Sequence, residues 1–282
     1  MPEGRGTRRS TGVVDSGGEH VYYEVVGTGA PLVLCHGLGG NHASWWQQVA
    51  VLGAEFEVVT WDQRGFGNST RRTGRFGPEV AVDDLAALLD HLGHDRAHVV
   101  GQSMGGWVAM GLALRAPERL LSLTLTDTIA GAWTPEVQAI TTASVAGVLA
   151  HLDMAALGRH VALGDAFAEA DPERAVLYQL ISSMGDKPPD VEVFAMLGTM
   201  RFSPEQVASL AMPVHLVVGE DDRLCPPEAM RLVASAIPGA TFTVLAGTGH
   251  SPYFEDAPAW NAAVLGFLRG VASPAGPGPA PQ

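Results

Sequence analysis

Short apolar runs alternate with helical patterns along most of the chain, and this alternation constrains the fold more than any other feature. The predicted strands are residues 21–26, 31–35, 56–61, 97–100, 120–125, 214–218 and 241–245. The predicted helices are residues 79–92, 104–115, 226–237 and 257–269. Strands that take turns with helices are typical of a doubly wound, mostly parallel sheet that carries helices on both faces. The sequence therefore predicts an α/β fold.

A long interval between the fifth and sixth of these runs lacks any β-rich stretch and instead carries broken helical patterns, such as residues 143–156 and 172–184. We interpret it as a helical cap inserted between two strands. Both chain ends are polar or rich in proline and glycine, which disfavours regular structure. The predicted organisation is an unstructured N-terminus (1–12), a core domain in two parts (13–130 and 208–271), a cap (131–207) and an unstructured tail (272–282).

Charge and cysteine content exclude several classes of function. Thirty acidic residues against seventeen basic ones give a net charge of −13, which repels nucleic acid and anionic membranes. Two cysteines are too few for a disulfide framework, and no signal peptide or apolar run of membrane-spanning length is present. We expect a cytoplasmic protein that acts on a small molecule. The sequence is compatible with a homodimer and does not decide the oligomeric state.

The pattern G-x-S-x-G occurs at residues 101–105, between a predicted buried strand and a predicted helix. The pattern alone is weak, but this context is the one that a nucleophile elbow requires. Glycines at both ends of the pattern keep the sharp turn sterically possible. We therefore predict that Ser103 is a nucleophile held above the carboxyl edge of the sheet.

The glycine-rich segment His36-Gly-Leu-Gly-Gly40 directly follows another predicted strand, where a serine site of this kind places part of its oxyanion hole. We assign the two donors to the backbone N–H groups of Leu38 and of Met104, the residue after the nucleophile. His36 itself is expected to be structural, hydrogen-bonding the loop backbone.

A serine hydroxyl needs a base to accept its proton, and the base needs a carboxylate to orient it. His250 follows the last predicted strand and is the best placed of ten histidines. The carboxylate candidates are Asp221 and Asp222, which follow the strand before it, and Asp127, which follows the strand at 120–125. Spacing alone does not separate the two adjacent aspartates.

With these motifs in this order, the chain resembles the α/β-hydrolase superfamily from about residue 21 to residue 269. Two further motifs resemble that family, namely the segment W-D-Q-R-G-F-G-N-S at 61–69 and the spacing of Glu255 and Pro258 after His250. The resemblance implies an eight-stranded sheet with the cap after the sixth strand. It also implies Asp222 as the triad acid, while some relatives carry the acid at the position of Asp127.

Bulky apolar residues in the cap and after the oxyanion loop are the candidates for contact with substrate. They are Trp46, Trp133, Tyr178, Met184, Phe194, Met196 and Met200. Residues 131–207 contain ten acidic and four basic side chains, which disfavours polyanionic substrates such as coenzyme A thioesters. A neutral, fairly apolar ester or lactone fits better.

The sequence and the resemblance together predict a serine esterase or lactonase that forms an acyl-enzyme and needs no metal or organic cofactor. The histidines at 91, 94 and 98 have metal-like spacing, but they straddle a helix end and a strand start, so no metal site is expected. Alternatives within the resemblance are carbon–carbon bond hydrolases of ring-cleavage products and cofactor-free haloperoxidases or perhydrolases. A ligand receptor on the same fold is the alternative that is not an enzyme.

Overall fold

One sheet of eight strands organises the molecule, seen in a computed structural model that describes residues 8–149 and 156–271. The strands are β1 (Arg9–Ser16), β2 (Glu19–Gly27), β3 (Ala30–Cys35), β4 (Phe56–Trp61), β5 (Ala97–Gln102), β6 (Leu120–Thr126), β7 (Val214–Gly219) and β8 (Thr241–Leu245). Their order across the sheet is β1-β2-β4-β3-β5-β6-β7-β8. The pairs β1–β2 and β2–β4 are antiparallel, and the remaining neighbours are parallel. The predicted mostly parallel, eight-stranded sheet is confirmed.

Helices fill the intervals between the strands. They are α1 (Trp46–Leu52), α2 (Pro78–Leu92), α3 (Met104–Arg115), α4 (Pro135–Leu149), α5 (Asp165–Ala170), α6 (Pro172–Ser182), α7 (Asp190–Thr199), α8 (Pro204–Ala208), α9 (Pro227–Ala236), α10 (Pro252–Glu255) and α11 (Ala257–Gly270). Short 3₁₀ turns precede α1 and β6. Within the two described ranges, no helix combines the length and apolar character needed to cross a bilayer.

Strand β3 shows how the sheet builds a core on each of its faces. Val33 and Cys35 belong to the apolar cluster that contains α2, α3 and α9, whereas Leu32 and Leu34 belong to the cluster that contains α11. Successive side chains of a strand point to opposite faces, so a fully apolar strand contributes to both clusters. The predicted central strands were recognisable for this reason.

The edge strand β1 was not predicted, and the predicted unstructured segment 1–12 is wrong for residues 9–12. Strand β1 pairs with β2 along its whole length, with Arg9 opposite Val26. Only Val14 and Ser16 of its eight residues are buried, so its sequence lacks the apolar run that marks an inner strand. Residues 1–7 and the predicted tail at 272–282 lie outside the described residues.

The described part of the interval between β6 and β7 holds the five helices α4 to α8, which we call the cap. Its two ends are joined, because the N–H of Trp133 donates to the carbonyl of Phe202 at 3.1 Å and the N–H of Phe202 donates to Gly131 at 2.7 Å. Helix α4 begins earlier than the predicted helix at 143–156. The helical insertion after the sixth strand is confirmed, and its limits at 131 and 207 stay a prediction.

Candidate active site

Ser103 is the single residue between the end of β5 and the start of α3, where the chain makes a sharp turn. Its backbone has φ +47° and ψ −118°, a conformation that L-residues rarely adopt. Such a residue stores roughly 1–3 kcal/mol of strain, which the surrounding structure must hold in place. Here Ser103 donates its N–H to Thr126 at 3.1 Å, and its carbonyl accepts from Gly106 at 2.8 Å and from the Thr128 hydroxyl at 2.8 Å. The turn has the geometry of a nucleophile elbow.

Two glycines allow this turn to pack closely against its neighbours. A Cβ on Gly105 would lie 2.2 Å from the carbonyl oxygen of Cys35 at the end of β3. A Cβ on Gly37 would lie 2.1 Å from the Gln102 side chain and 3.0 Å from the Cβ of Ser103. The glycine-rich loop after β3 and the first turn of α3 therefore pack around the serine turn at distances that only glycine permits.

His250 and Asp222 form a buried hydrogen-bonded pair at the carboxyl edge of the sheet. The Nδ1 of His250 lies 2.8 and 2.9 Å from the two carboxylate oxygens of Asp222, and the residues are only 4% and 3% exposed. Asp222 also accepts the N–H groups of Leu224 at 2.8 Å and Cys225 at 2.9 Å. A carboxylate on Nδ1 places the ring proton there and leaves Nε2 of the neutral ring as the proton acceptor.

Asp127, another of the three acids that the sequence left open, contacts different groups. One of its oxygens accepts the N–H of Gly219 at 2.9 Å and the other accepts the hydroxyl of Thr126 at 2.6 Å. Burial and the nearby charge of Asp222 raise the pKa of Asp127 well above its usual range. Of the two acids, Asp222 is the one that touches His250.

Ser103 and His250 line one cavity of about 260 Å³. Among the described residues the hydrogen-bond partner of the His250 ring is Asp222, and the bond from a catalytic serine to its histidine often tightens only when substrate binds. Leu38, from the loop predicted to supply an oxyanion donor, lines the same cavity. Met104 is the first residue of α3, where backbone N–H groups have no partner within the helix.

The donor atoms of Asp222, Cys225 and His250 lie within 4.8 Å of one another, a spacing that a metal could use. Cysteine binds metals as the thiolate. Burial, together with the charge of Asp222, raises the pKa of the Cys225 thiol well above its usual value. The thiol is therefore protonated and the carboxylate is engaged with the imidazole, so this set suits a proton relay better than a metal.

Comparison with known proteins agrees with this geometry. A family model described as the alpha/beta hydrolase fold matches residues 30–257. The chain belongs to the α/β-hydrolase fold family.

Several α/β hydrolases resemble the chain over nearly all of its length. A putative carbamate hydrolase, RutD, of Caulobacter sp. (strain K31) is 31% identical over 277 residues, which cover 93% of this chain and 99% of the relative. The structure of a thermophilic esterase from Thermogutta terrifontis has a TM-score of 0.76 and 28% identity, covering 94% of this chain and 100% of its own. The enol-lactonase of Burkholderia xenovorans LB400 has a TM-score of 0.74 and 25% identity, covering 92% and 100%. These relatives support hydrolase activity.

Three of the seven residues expected to contact substrate line the cavity of this α/β hydrolase, and four do not. Trp133, Tyr178 and Phe194 are part of its wall. Trp46 lies elsewhere: it is 45% exposed at the start of α1 and packs edge-on against Phe254 at a centroid distance of 6.5 Å. The expectation for Trp46 is thus corrected, because its helix directs it to the outer surface.

The three methionine candidates are also placed outside the described cavity wall. Met184 follows α6 and is 55% exposed. Met196 packs against Gly77, where an added Cβ would meet its sulfur at 2.5 Å, and Met200 packs against Gly111 of α3. These two methionines fill the joint between cap and core and do not roof the pocket.

Helix spacing on α7 explains this division. The residues of α7 that line the cavity are Asp190, Phe194, Leu197 and Gly198. Their positions i, i+4, i+7 and i+8 place them on one face of the helix. Met196, two positions from Phe194, falls on another face. This periodicity is the signal in the sequence that could have separated the two groups.

Glu255 connects the loop of His250 to the cap. Its buried carboxylate accepts the N–H groups of Gly249 at 2.8 Å, Gly164 at 3.3 Å and Ser251 at 3.4 Å. Burial raises the pKa of Glu255, although these hydrogen bonds oppose the rise. Gly249 and Ser251 flank His250, and Gly164 precedes α5 in the cap. The Glu255 side chain therefore holds the His250 loop and this cap segment together.

Proposed function

We propose that this protein is a serine hydrolase that cleaves a small to medium carboxylic ester or lactone through an acyl-enzyme intermediate. The observation that carries the proposal is the joint arrangement at the cavity. A serine in a strained turn and a histidine oriented by a buried carboxylate line the same apolar space.

In the proposed first step, Nε2 of His250 accepts the proton of the Ser103 hydroxyl as Oγ bonds to the carbonyl carbon of the substrate. The carbonyl oxygen becomes an oxyanion that accepts hydrogen bonds from the N–H groups of Leu38 and Met104. Asp222 stabilises the imidazolium. When the tetrahedral intermediate collapses, the C–O bond to the leaving alcohol breaks and the alcohol takes the proton from His250.

In the second step, a water molecule gives a proton to His250 and bonds to the acyl carbon. The second tetrahedral intermediate releases the carboxylic acid, and the proton returns to Ser103 Oγ. For a lactone the leaving alcohol stays attached to the acyl group, so one ring-opened product results. The wall of the cavity, which includes Trp107, Ile129 and Leu224, favours a substrate that is apolar around its scissile bond.

Labelling with a fluorophosphonate tests the nucleophile. We expect one adduct on Ser103 and none in the Ser103→Ala variant. Ser235→Ala is the matched control, because Ser235 is exposed on α9 and should leave labelling intact. An adduct that persists in Ser103→Ala would overturn the assignment of the nucleophile.

Turnover measurements distinguish an enzyme from a ligand receptor and identify the kind of bond that is cleaved. Hydrolysis of p-nitrophenyl butyrate should be lost in His250→Ala and kept in His20→Ala, an exposed histidine of β2. A panel of esters, lactones and carbamate esters then ranks the substrate classes. Tight ligand binding with no turnover of any member would favour a receptor and contradict the proposal.

A further inference from the structure

Three titratable cap residues line the cavity and have no part in the proposed reaction steps. They are His160, Lys187 and Asp190. Lys187 is the only lysine in the chain, whose other sixteen basic residues are arginines. None of the three was singled out as a site residue from the sequence. The Lys187 and Asp190 side chains are 33% and 52% exposed, so their charges lie at the solvent-facing part of a cavity wall that is otherwise mostly apolar.

Lys187 lies beside the oxyanion loop. Its Nζ is 3.2 Å from the Asp190 carboxylate, and it would be 3.7 Å from a Cβ built on Gly39. The ammonium has three N–H donors, of which Asp190 takes one. Two donors therefore remain for other acceptors, next to the loop that carries the proposed oxyanion donor of Leu38.

His160 adds a further donor to this part of the cavity. Its Nδ1 accepts the N–H of Ala162 at 3.2 Å, so the proton of the neutral ring lies on Nε2. Burial, with the positive charge of Lys187, lowers the pKa of His160 to about 4. The ring is held edge-on against Tyr178 at a centroid distance of 4.9 Å, which fixes its orientation.

The charges of the cluster decide what kind of acceptor it suits. Lys187 and Asp190 form an ion pair and His160 is neutral, so the cluster is rich in donors and carries no net charge. A carboxylate bound there would also meet the negative charge of Asp190. A neutral oxygen acceptor gains the same hydrogen bonds without this repulsion.

We propose that Lys187, Asp190 and His160 form a second polar subsite, which binds a ketone or amide carbonyl that the substrate carries apart from its scissile carbonyl. This proposal rests on the proposed ester or lactone hydrolysis and specifies its substrate class. Lys187 donates a hydrogen bond to the second carbonyl, and Nε2–H of His160 is a further donor for it. Asp190 keeps the ammonium in position, and its negative charge repels anions.

Paired substrates test the subsite. Each p-nitrophenyl alkyl ester of a graded series is compared with the ester that has a ketone in the same acyl chain, starting with valerate and levulinate. At the best chain length, the keto ester should have a kcat/KM about tenfold higher than its alkyl partner, as expected for a hydrogen bond to a charged donor. In Lys187→Met this ratio should fall to about one.

Two further variants sharpen the result. Asp190→Asn removes the negative charge and should shift the preference towards the p-nitrophenyl monoester of succinate, which carries a carboxylate. Glu192→Gln, the matched control, removes an exposed charge from the same turn of α7 and should leave every ratio unchanged.

The outcomes separate this inference from the proposed function. If the alkyl esters are not hydrolysed by the unmodified protein, the proposed function fails. If they are hydrolysed but no keto ester is favoured, or the preference survives in Lys187→Met, the proposed subsite alone is overturned. A preference for the succinate monoester in the unmodified protein would also overturn it, because it would show that the site binds anions.

Discussion

Two buried aspartates close to the histidine show how environment assigns different tasks to the same residue type. Asp222 contacts His250, whereas Asp127 is bonded to a backbone N–H and a hydroxyl and has a raised pKa. An amide closely resembles a protonated carboxyl. We therefore expect the two Asp→Asn substitutions to differ sharply in their effect on catalysis.

Asp222→Asn should lower kcat by about 10⁴-fold, because an amide does not hold the imidazole in the productive tautomer. Asp127→Asn, its matched control, should stay within about tenfold of the unmodified protein, since Asp127 bonds to Gly219 and Thr126 and not to His250. Both are measured as kcat on p-nitrophenyl butyrate. Equal losses in the two variants would mean that the acids share the role.

Glu19 provides a residue-scale prediction for stability. Its buried carboxylate accepts the Thr70 hydroxyl at 2.5 Å and the N–H groups of Arg72 at 2.8 Å and Thr73 at 2.6 Å. Burial by itself would raise the pKa of Glu19, but these hydrogen bonds outweigh it and lower the pKa to about 2. The ionised carboxylate thus ties β2 to the loop after β4.

A lowered pKa in the folded state means that the stabilisation is present above the ordinary pKa of 4.5 and is lost as the pH falls towards 2. At pH 7, Glu19→Gln should lower the free energy of unfolding by about 1–3 kcal/mol. The difference from the unmodified protein should shrink below pH 4.5, as followed by urea denaturation. Glu118→Gln, at an exposed position, is the control and should change little at either pH.

The residues that the motifs predicted lie at the ends of strands, and this is why a sequence could place them. Ser103, Asp222 and His250 each follow a strand of a parallel sheet, and the carboxyl ends of such strands meet at one edge. No comparable rule predicts which residues of the cap face the cavity. Whether Phe194 or Met196 faces the cavity depends on the rotation of α7, which is set by tertiary packing.

Among the elements, the junction of β5 and α3 tolerates the least change. A Cβ on Gly105 would meet the backbone of β3, whereas one on Gly266, exposed in α11, would meet no atom within 4 Å. Gly105→Ala should therefore lower the free energy of unfolding by about 1–3 kcal/mol and reduce labelling of Ser103. Gly266→Ala should raise that free energy by about 0.5–1 kcal/mol, because alanine favours a helix over glycine. Thermal unfolding of both variants checks the pair, and a harmless Gly105→Ala would contradict the close approach.

Element prediction succeeded where strands were buried on both faces and failed at the edge. Strands β5 and β7 are buried along their whole length, and β3 in its last four residues, because helices cover both sides of the sheet. Strand β1 is held by its backbone hydrogen bonds to β2 and buries little apolar surface. The sequence of Arg9–Ser16 therefore lacks the apolar pattern that predicts a strand. Its pairing with β2 is a hairpin closed by a two-residue turn at Gly17 and Gly18, which both have positive φ, and this short-range signal was missed.

On the scale of the whole molecule, the net charge of −13 acts on every approaching substrate, whereas Lys187 acts only inside the cavity. At about 10 mM salt the screening length is about 30 Å and the whole charge is felt, while at about 150 mM it is about 8 Å. The kcat/KM for the p-nitrophenyl monoester of succinate should therefore rise several-fold between these two conditions. That for p-nitrophenyl butyrate, which is neutral, should stay constant and serves as the control. A fall in kcat/KM for the anionic ester as salt is added would mean that a positive field at the cavity dominates, against the paired state of Lys187 and Asp190.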